Sequence, residues 1–157
     1  MKFSGQEAGA IVCAIRAEGH RVSNFEGLGS ERGAYLLLIR LSCPVRLRSR
    51  TIERGLLAPG DYIYAGSAWG SGGIRARAGR HLKQRKRRHW HIDDVTEAAD
   101  SVHPIAVPGG RECDLIQLLL TSGRFSIPVK GFGSSDCSRC DSHLLIAHES
   151  QEIEPTP

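Results

Sequence analysis

The sequence predicts an α+β domain, α/β-like in its order of elements, in which helices flank a small central β-sheet of about three or more strands. Two apolar runs of strand length, 34–41 and 62–66, are separated by a turn signal. Two segments with helical periodicity, 74–82 and 111–121, come next, and a last apolar run covers 144–147. A chain of 157 residues with 40% hydrophobic content suits one core of this kind.

The two main strands are predicted from composition and punctuation. Residues 34–41 read Ala-Tyr-Leu-Leu-Leu-Ile-Arg-Leu, which is apolar enough for a largely buried strand. Ala58-Pro59-Gly60-Asp61 is a turn signal, and Tyr62 opens the second strand. Residues 1–30 carry only a weak helical pattern, so they are expected to form a partly helical N-terminal extension.

Both helices follow glycine-rich segments. A loop over 67–73 precedes the first helix, whose apolar stripe is predicted to contain Ile74, Ala78 and Leu82. Residues 89–93 and 101–107 are predicted to be extended. Gly109-Gly110 then introduces the second helix, whose apolar face is formed by Leu115, Ile116 and Leu119.

The expected domain organisation follows from these elements. The main domain spans 31–148, and a loop rich in Gly, Ser, Asp and Cys over 131–142 precedes the last strand. Residues 149–157 are expected to form a flexible tail.

Basic residues are concentrated in one segment, although the net charge of +4 is modest. Nucleic acid is the expected partner, because each phosphate that is neutralised releases counterions. A solvated helix face is the alternative. The residues predicted to bind nucleic acid are Arg75, Arg80, Lys83, Arg85, Lys86, Arg87, Arg88, His89 and His91.

The sequence favours a cytoplasmic protein that does not contact a membrane. No stretch approaches the roughly 18 to 20 apolar residues of a spanning helix, and the first five residues lack the apolar run of a signal peptide. Five cysteines are an odd number, which favours thiols or thiolate ligands over a disulfide framework.

Two clusters of potential ligands stand out. Cys137-x-x-Cys140-x-x-His143, with Cys113 as a fourth ligand, has zinc-like spacing, but only one short cysteine pair is present, so ordinary thiols remain the alternative. His89, His91 and Asp93 would share one face of an extended segment. A polar or DNA-facing surface is favoured there over a metal site.

A set of short motifs resembles the core of the GIY-YIG nuclease superfamily. The two strand motifs are Gly33-Ala34-Tyr35 and Tyr64-Ala65-Gly66, and Arg77 and His81 follow at the i, i+4 spacing of the superfamily. Glu112 opens the second predicted helix, as the metal-binding glutamate of the superfamily does. Further motifs over about 33–147 are similar to the small stand-alone Uri-type branch: Tyr-Ile-Tyr-Ala-Gly-Ser-Ala, Arg-His-Leu, His-Trp-His-Ile-Asp and Gly-Phe-Gly-Ser-Ser-Asp-Cys.

This resemblance implies a divalent-metal-dependent endonuclease that hydrolyses phosphodiester bonds in DNA, with structure-selective cleavage in repair or recombination. Its implied cofactor is Mg²⁺ or Mn²⁺ on Glu112. A phenol with a pKa near 10 costs on the order of 4 kcal/mol to use as a base at neutral pH unless a cation assists it. Tyr35 is favoured as that base, although Tyr64 is an alternative. The implied catalytic residues are Tyr35, Tyr64, Arg77, His81 and Glu112.

The sequence departs from the superfamily at one position. An asparagine usually follows the metal-binding glutamate, whereas the only asparagine in this chain is Asn24. Ser134, Ser135 or Asp136 is expected to take its place.

Two other functions fit the same residues. One is a nucleic-acid-binding module that retains the fold without catalysis, with a Cys/His zinc clip as a stabilising element. The other is a protein-interaction domain whose basic segment meets an acidic partner.

Overall fold

A computed structural model describes residues 3–49, 52, 55–83 and 87–149. Its helices are α1 (Gly5–Ala17), α2 (Gly73–Leu82), α3 (His91–Ala98) and α4 (Glu112–Thr121), with a short 3₁₀ turn at Phe25–Gly27. Its strands are β1 (Gly33–Leu41), β2 (Val45–Arg46), β3 (Leu56–Leu57), β4 (Gly60–Ala68), β5 (Ser101–Pro108), β6 (Phe125–Ser126) and β7 (Leu144–Ala147).

The main sheet has five antiparallel strands in the order β5-β1-β4-β7-β6, and β2 pairs with β3 in a separate small hairpin. The α+β prediction is therefore confirmed. Strand β4 is the central strand and pairs with β1, and Tyr35 of β1 is directly opposite Gly66 of β4.

The centre of the sheet is buried on both faces. Successive side chains of a strand point in opposite directions, so alternate residues of β1 enter different cores. Leu37 and Ile39 of β1 join the core that contains Ile74 of α2 and Ile92 of α3. Leu36 and neighbouring side chains of β1 instead join the core formed with α1 and α4. Helices thus cover both faces, and Tyr35 lies on the side of α2 and α3.

Helix α2 starts where the chain passes closely behind its first turn. Gly73 has φ 64°, and a Cβ there would lie 2.2 Å from the carbonyl oxygen of Glu31. The N–H of Ile74 donates to the same oxygen at 2.8 Å. Only glycine fits this position without displacing backbone. Gly73 therefore lets the first turn of α2 pack directly against the backbone at Glu31.

The prediction of an extended segment over 89–93 is wrong, since α3 begins at His91. The carboxylate of Asp93 accepts hydrogen bonds from the backbone N–H groups of His89 and Trp90 at 2.7 and 3.0 Å. These two donors would otherwise be unsatisfied at the helix start. His89, His91 and Asp93 therefore do not share one face of a strand.

Other expectations lie partly outside the described part of the chain. Within residues 3–30, α1 contributes Ile11 and Ile15 to the core, so the N-terminal extension packs against the domain. The expected tail falls outside the described residues from 150 onward. No helix in the described ranges has the length and apolar character needed to cross a membrane.

Candidate active site

Two tyrosines lie side by side on the sheet face covered by α2 and α3. Tyr35 is opposite Gly66, and Tyr64 is two residues earlier on the same strand as Gly66. The two rings therefore lie diagonally across the strand pair, with centroids 6.4 Å apart. A Cβ at position 66 would lie 2.2 Å from Cζ of Tyr35. The glycine of the second strand motif thus makes room for the tyrosine of the first.

Helix α2 brings His81 onto this tyrosine pair. His81 is buried, and its Nε2 lies 2.8 Å from the hydroxyl oxygen of Tyr35. Its ring centroid is 6.2 Å from that of Tyr64. A helical residue four positions earlier lies on the same face, and Arg77 accordingly lines the same cleft. The guanidinium of Arg77 lies 5.1 Å from the ring centroid of Trp90, within cation–π range.

Both phenols are held in the neutral form by their surroundings. Burial raises the pKa of Tyr35 well above its ordinary value, and the neighbouring Tyr64 raises it further, against the opposing charge of Arg77. Burial also raises the pKa of Tyr64 to about 12, where Arg77 opposes the shift and Glu112 adds to it. Removing a proton from Tyr35 therefore requires a nearby acceptor, and Nε2 of His81 is at hydrogen-bond distance.

Asp93 lies behind His81. One oxygen of this fully buried carboxylate is 3.6 Å from Nδ1 of His81, and the carboxylate accepts hydrogen bonds from Arg80 at 2.8 and 2.9 Å. Burial alone would raise the pKa of Asp93, but the hydrogen bonds from Arg80 and from the backbone N–H groups of Trp90 and His89 outweigh it and hold the pKa far below its ordinary value. The Asp93 carboxylate therefore stays ionised, and its negative charge faces Nδ1 of His81.

Glu112 brings a carboxylate to the cleft. It is half-buried at the first residue of α4, where the N-terminal end of the helix dipole favours a carboxylate. It lines one cleft of about 420 Å³ together with Tyr35, Tyr64, Arg77 and His81. All five residues that the sequence singled out as catalytic thus border the same cavity.

The loop before β7 forms a further wall of this cleft. Ser135 and Asp136 are exposed and line it, at the place where a replacement for the asparagine was expected. Ser134 is buried and donates to the backbone oxygen of Asp141 at 3.2 Å, so its hydroxyl is used inside the loop. Of the three expected replacements, Ser135 and Asp136 are the two that border the cavity.

Sequence reasoning missed Trp90, and it placed His91 on an extended surface segment. Both residues line the cleft. The backbone N–H of Gly133 donates to Nδ1 of His91 at 3.3 Å, and Nε2 of His91 lies 3.1 Å from Oγ of Ser49. Burial, with the nearby charge of Arg88, lowers the pKa of His91. The acidic residues at 93 and 94, early in α3, were the available signal for a helix start here.

Several residues predicted to bind nucleic acid are engaged within the domain. Arg80 binds Asp93, and Arg75 donates to the backbone oxygen of Leu28 at 2.9 Å. Arg88 pairs with Asp94 at 2.8 Å. Lys83, Arg87 and His89 are exposed beyond the end of α2, and Arg85 and Lys86 lie outside the described residues.

Three cysteines and a histidine converge beside the cleft. The possible ligand atoms of Cys113, Cys137, Cys140 and His143 all lie within 4.8 Å of one another, so this Cys/His cluster can bind a metal ion. Cys13 and Cys43 are exposed elsewhere. The predicted grouping of the four residues is confirmed.

Comparison with known proteins gives one family. The family described as domain of unknown function DUF123 matches residues 34–156. No curated protein and no solved structure matches the chain significantly.

Proposed function

The chain belongs to the DUF123 domain family, and we propose that this domain is a divalent-metal-dependent endonuclease that hydrolyses phosphodiester bonds in DNA, built on the GIY-YIG plan. One observation carries the proposal. The Tyr35 hydroxyl lies 2.8 Å from His81 Nε2 in a cleft that Tyr64, Arg77 and Glu112 also line. A proton acceptor, a cation and a carboxylate around one cavity are the groups that phosphoryl transfer uses.

The proton of the attacking water would leave through Tyr35. The high pKa of this phenol makes it a poor base by itself at neutral pH. In the proposed relay Tyr35 accepts the water proton while its own proton passes to Nε2 of His81. The imidazolium that results is stabilised by the Asp93 carboxylate, 3.6 Å from Nδ1. Tyr64, beside Tyr35, would orient the water.

Arg77 would bind the phosphate that is cleaved. Its side chain is exposed and lines the cleft, unlike Arg80, whose guanidinium is engaged by Asp93. A guanidinium binds two phosphoryl oxygens at once, and the charge that develops on them in the transition state strengthens the interaction. Binding and rate acceleration are thus both expected to depend on Arg77.

Glu112 fits a Mg²⁺ or Mn²⁺ ion. These hard cations take carboxylate oxygens, and Mg²⁺ is commonly held by one or two carboxylates together with water and substrate phosphates. A half-buried carboxylate that lines a cleft of about 420 Å³ is compatible with that requirement. When bound, the cation supplies charge stabilisation to the phosphoryl oxygens and a more acidic water.

The substrate would be selected by shape. Lys83 and Arg87 are exposed and follow α2 in sequence, and contacts of such residues with the phosphate backbone carry no base-sequence information. Structure-selective cleavage in DNA repair or recombination fits this arrangement better than recognition of a long sequence. A cytoplasmic location completes the proposal, since free thiols suit a reducing compartment.

A gel assay with branched, single-stranded and duplex DNA tests the proposal. Cleavage is expected in Mg²⁺ or Mn²⁺ and is expected to disappear in Glu112→Ala and in Tyr35→Phe. Glu97→Gln, on the outer side of α3, is the matched control and should cleave like the wild-type protein. Cleavage that is unchanged in both Glu112→Ala and Tyr35→Phe would refute the proposed nuclease function.

A second candidate is a nucleic-acid-binding module that has the same fold, does not cleave, and is stabilised by zinc at the Cys/His cluster. The missing asparagine and the convergence of three thiols and an imidazole favour it. It predicts binding that weakens steeply with salt and no cleavage with any divalent cation. Measuring filter binding and cleavage on the same DNA separates the two candidates.

A further inference from the structure

The Cys/His cluster joins two separate parts of the fold. Cys113 is the second residue of α4, whereas Cys137, Cys140 and His143 belong to the loop that leads into β7. Cys113, Cys140 and His143 are buried, and Cys137 is partly buried. The four side chains therefore converge from a helix start and a loop, three of them buried and Cys137 partly exposed.

Their spacing is close to that of a tetrahedral metal site, and all four possible ligand atoms lie within 4.8 Å of one another. Zinc bonds of about 2.3 Å to sulfur and about 2.0 Å to nitrogen place ligand atoms roughly 3.5 to 3.8 Å apart. Sγ of Cys113 lies 3.3 Å from Sγ of Cys137 and 3.8 Å from Nε2 of His143. A disulfide would join only two of the three sulfur atoms at about 2.0 Å and would not require the histidine.

The loop also directs a backbone N–H group at one of its sulfur atoms, as metal-binding loops do. The backbone N–H of Arg139 donates to Sγ of Cys137 at 3.4 Å, between the two cysteines of the Cys-x-x-Cys pair. The guanidinium of Arg139 reaches Asp114 of α4 at 2.9 Å, which ties the loop to the helix a second time. An N–H group aimed at sulfur and a nearby guanidinium both stabilise negative charge on thiolates.

We propose that Cys113, Cys137, Cys140 and His143 hold a structural Zn²⁺ ion with a closed coordination shell. Three thiolates and an imidazole are soft and borderline ligands that select zinc over Mg²⁺ or Mn²⁺. Four protein ligands leave no open position for a substrate, so this ion has a structural role. The site does not depend on whether the domain cleaves DNA.

The zinc site is also a positioning element for the cleft, a consequence that rests on the proposed nuclease function. Glu112 directly precedes Cys113, and Cys137 and His143 line the same cleft as Glu112. Zinc binding therefore fixes the first turn of α4 against the loop that carries Ser135 and Asp136. Removal of zinc is expected to weaken Mn²⁺ binding at Glu112 by about tenfold, as loss of residues that orient a metal ligand does.

Metal analysis and cobalt substitution of the full chain test the site. The purified protein is expected to contain about one Zn²⁺ per chain. Its Co²⁺ form should show the thiolate-to-metal charge-transfer and tetrahedral d–d bands of a Cys₃His site. Cys140→Ser should lower zinc content severalfold, whereas Cys43→Ser, at an exposed cysteine, should leave it unchanged.

A second variant keeps the test decisive if Cys140→Ser fails to fold. His143→Cys should retain zinc and shift the cobalt spectrum towards that of a Cys₄ site. Three outcomes overturn the proposal: absence of zinc and cobalt binding, a cobalt spectrum unaltered in His143→Cys, or thiol titration that reveals a disulfide between cluster cysteines.

The zinc and nuclease proposals fail in different ways. Zinc binding with no cleavage under any divalent ion would refute the nuclease proposal and leave the zinc proposal intact. Cleavage by a protein that binds neither zinc nor cobalt does the opposite. Mn²⁺ affinity that is equal with and without zinc overturns the positioning role alone.

Discussion

Asp93→Asn is expected to destabilise the domain strongly, because Asp93 is the buried anchor of the first turn of α3. Its side chain is 0% exposed and accepts two hydrogen bonds from Arg80 and one each from the backbone N–H groups of His89 and Trp90. An asparagine supplies one oxygen instead of two. Whichever way its amide is turned, an N–H₂ group faces at least one of these donors.

The magnitude follows from the burial of the two partners. Breaking a buried ion pair by removing one charge costs about 3 to 5 kcal/mol. The Arg80 side chain is 25% exposed, so it can regain part of its hydration and the lower end of that range applies. We therefore expect a loss of about 3 kcal/mol. In a chain of this length that corresponds to a fall in Tm of roughly 6 to 12 °C.

Thermal and urea unfolding followed by circular dichroism measure this loss. The control is Glu97→Gln on the same helix, whose carboxylate lies 3.6 Å from an Arg48 side chain that is 64% exposed. An exposed pair of this kind contributes at most about 1 kcal/mol, so the Tm of the control should remain within a few degrees of wild type. Equal losses in the two variants would refute the account of Asp93 as a buried anchor.

Three further predictions concern pH and packing. Because the pKa of Asp93 is depressed from 3.8, its contribution to stability is complete above that pH and is lost as the pH falls further, so Asp93→Asn should flatten the acid limb of a Tm-versus-pH curve. Burial raises the pKa values of all three tyrosines, that of Tyr64 to about 12. The folded state therefore keeps the phenols neutral, and the free energy of unfolding falls only as the pH rises above about 10, where the tyrosines of the unfolded chain ionise. Near-ultraviolet absorbance of the folded protein should detect no phenolate below about pH 10, and a phenol that ionises well below that pH would contradict the burial argument. Gly66→Ala places a methyl group against Tyr35 and should lower the free energy of unfolding by about 1 to 3 kcal/mol and reduce the proposed DNA cleavage at least tenfold. Gly9→Ala, in open space on α1, is the control. Unchanged cleavage in Gly66→Ala would show that the position of Tyr35 is unimportant.

The long elements were predictable from the sequence because their patterns are unbroken. Strands β1 and β4 are apolar over most of their length, and α2 and α4 follow glycine-rich segments with clear apolar faces. The strands β2, β3 and β6 have two residues each, too few to establish any period. Their existence depends on pairing partners that a local pattern does not contain.

Helix α3 was missed for a physical reason. The residues His89, His91 and Asp93 alternate as a strand would, but the carboxylate of Asp93 caps a helix start, and Ile92 and Val95 pack into the core under the sheet. The helix is therefore selected by capping and tertiary packing rather than by local periodicity.

The candidate site was predictable only in part. The sequence grouped Tyr35, Tyr64, Arg77, His81 and Glu112 through short motifs, and the cleft brings them together. The contact of Asp93 with His81 was not predictable, since the two residues belong to different helices joined by a basic segment.

Crystals soaked in Mn²⁺ test the central claim most directly, because anomalous diffraction locates this cation without reference to activity. The account predicts a peak on the Glu112 carboxylate, inside the cleft bordered by Tyr35, Tyr64 and Arg77, and no such peak in Glu112→Gln. A wild-type cleft without Mn²⁺, in crystals soaked at concentrations that support cleavage, would contradict it.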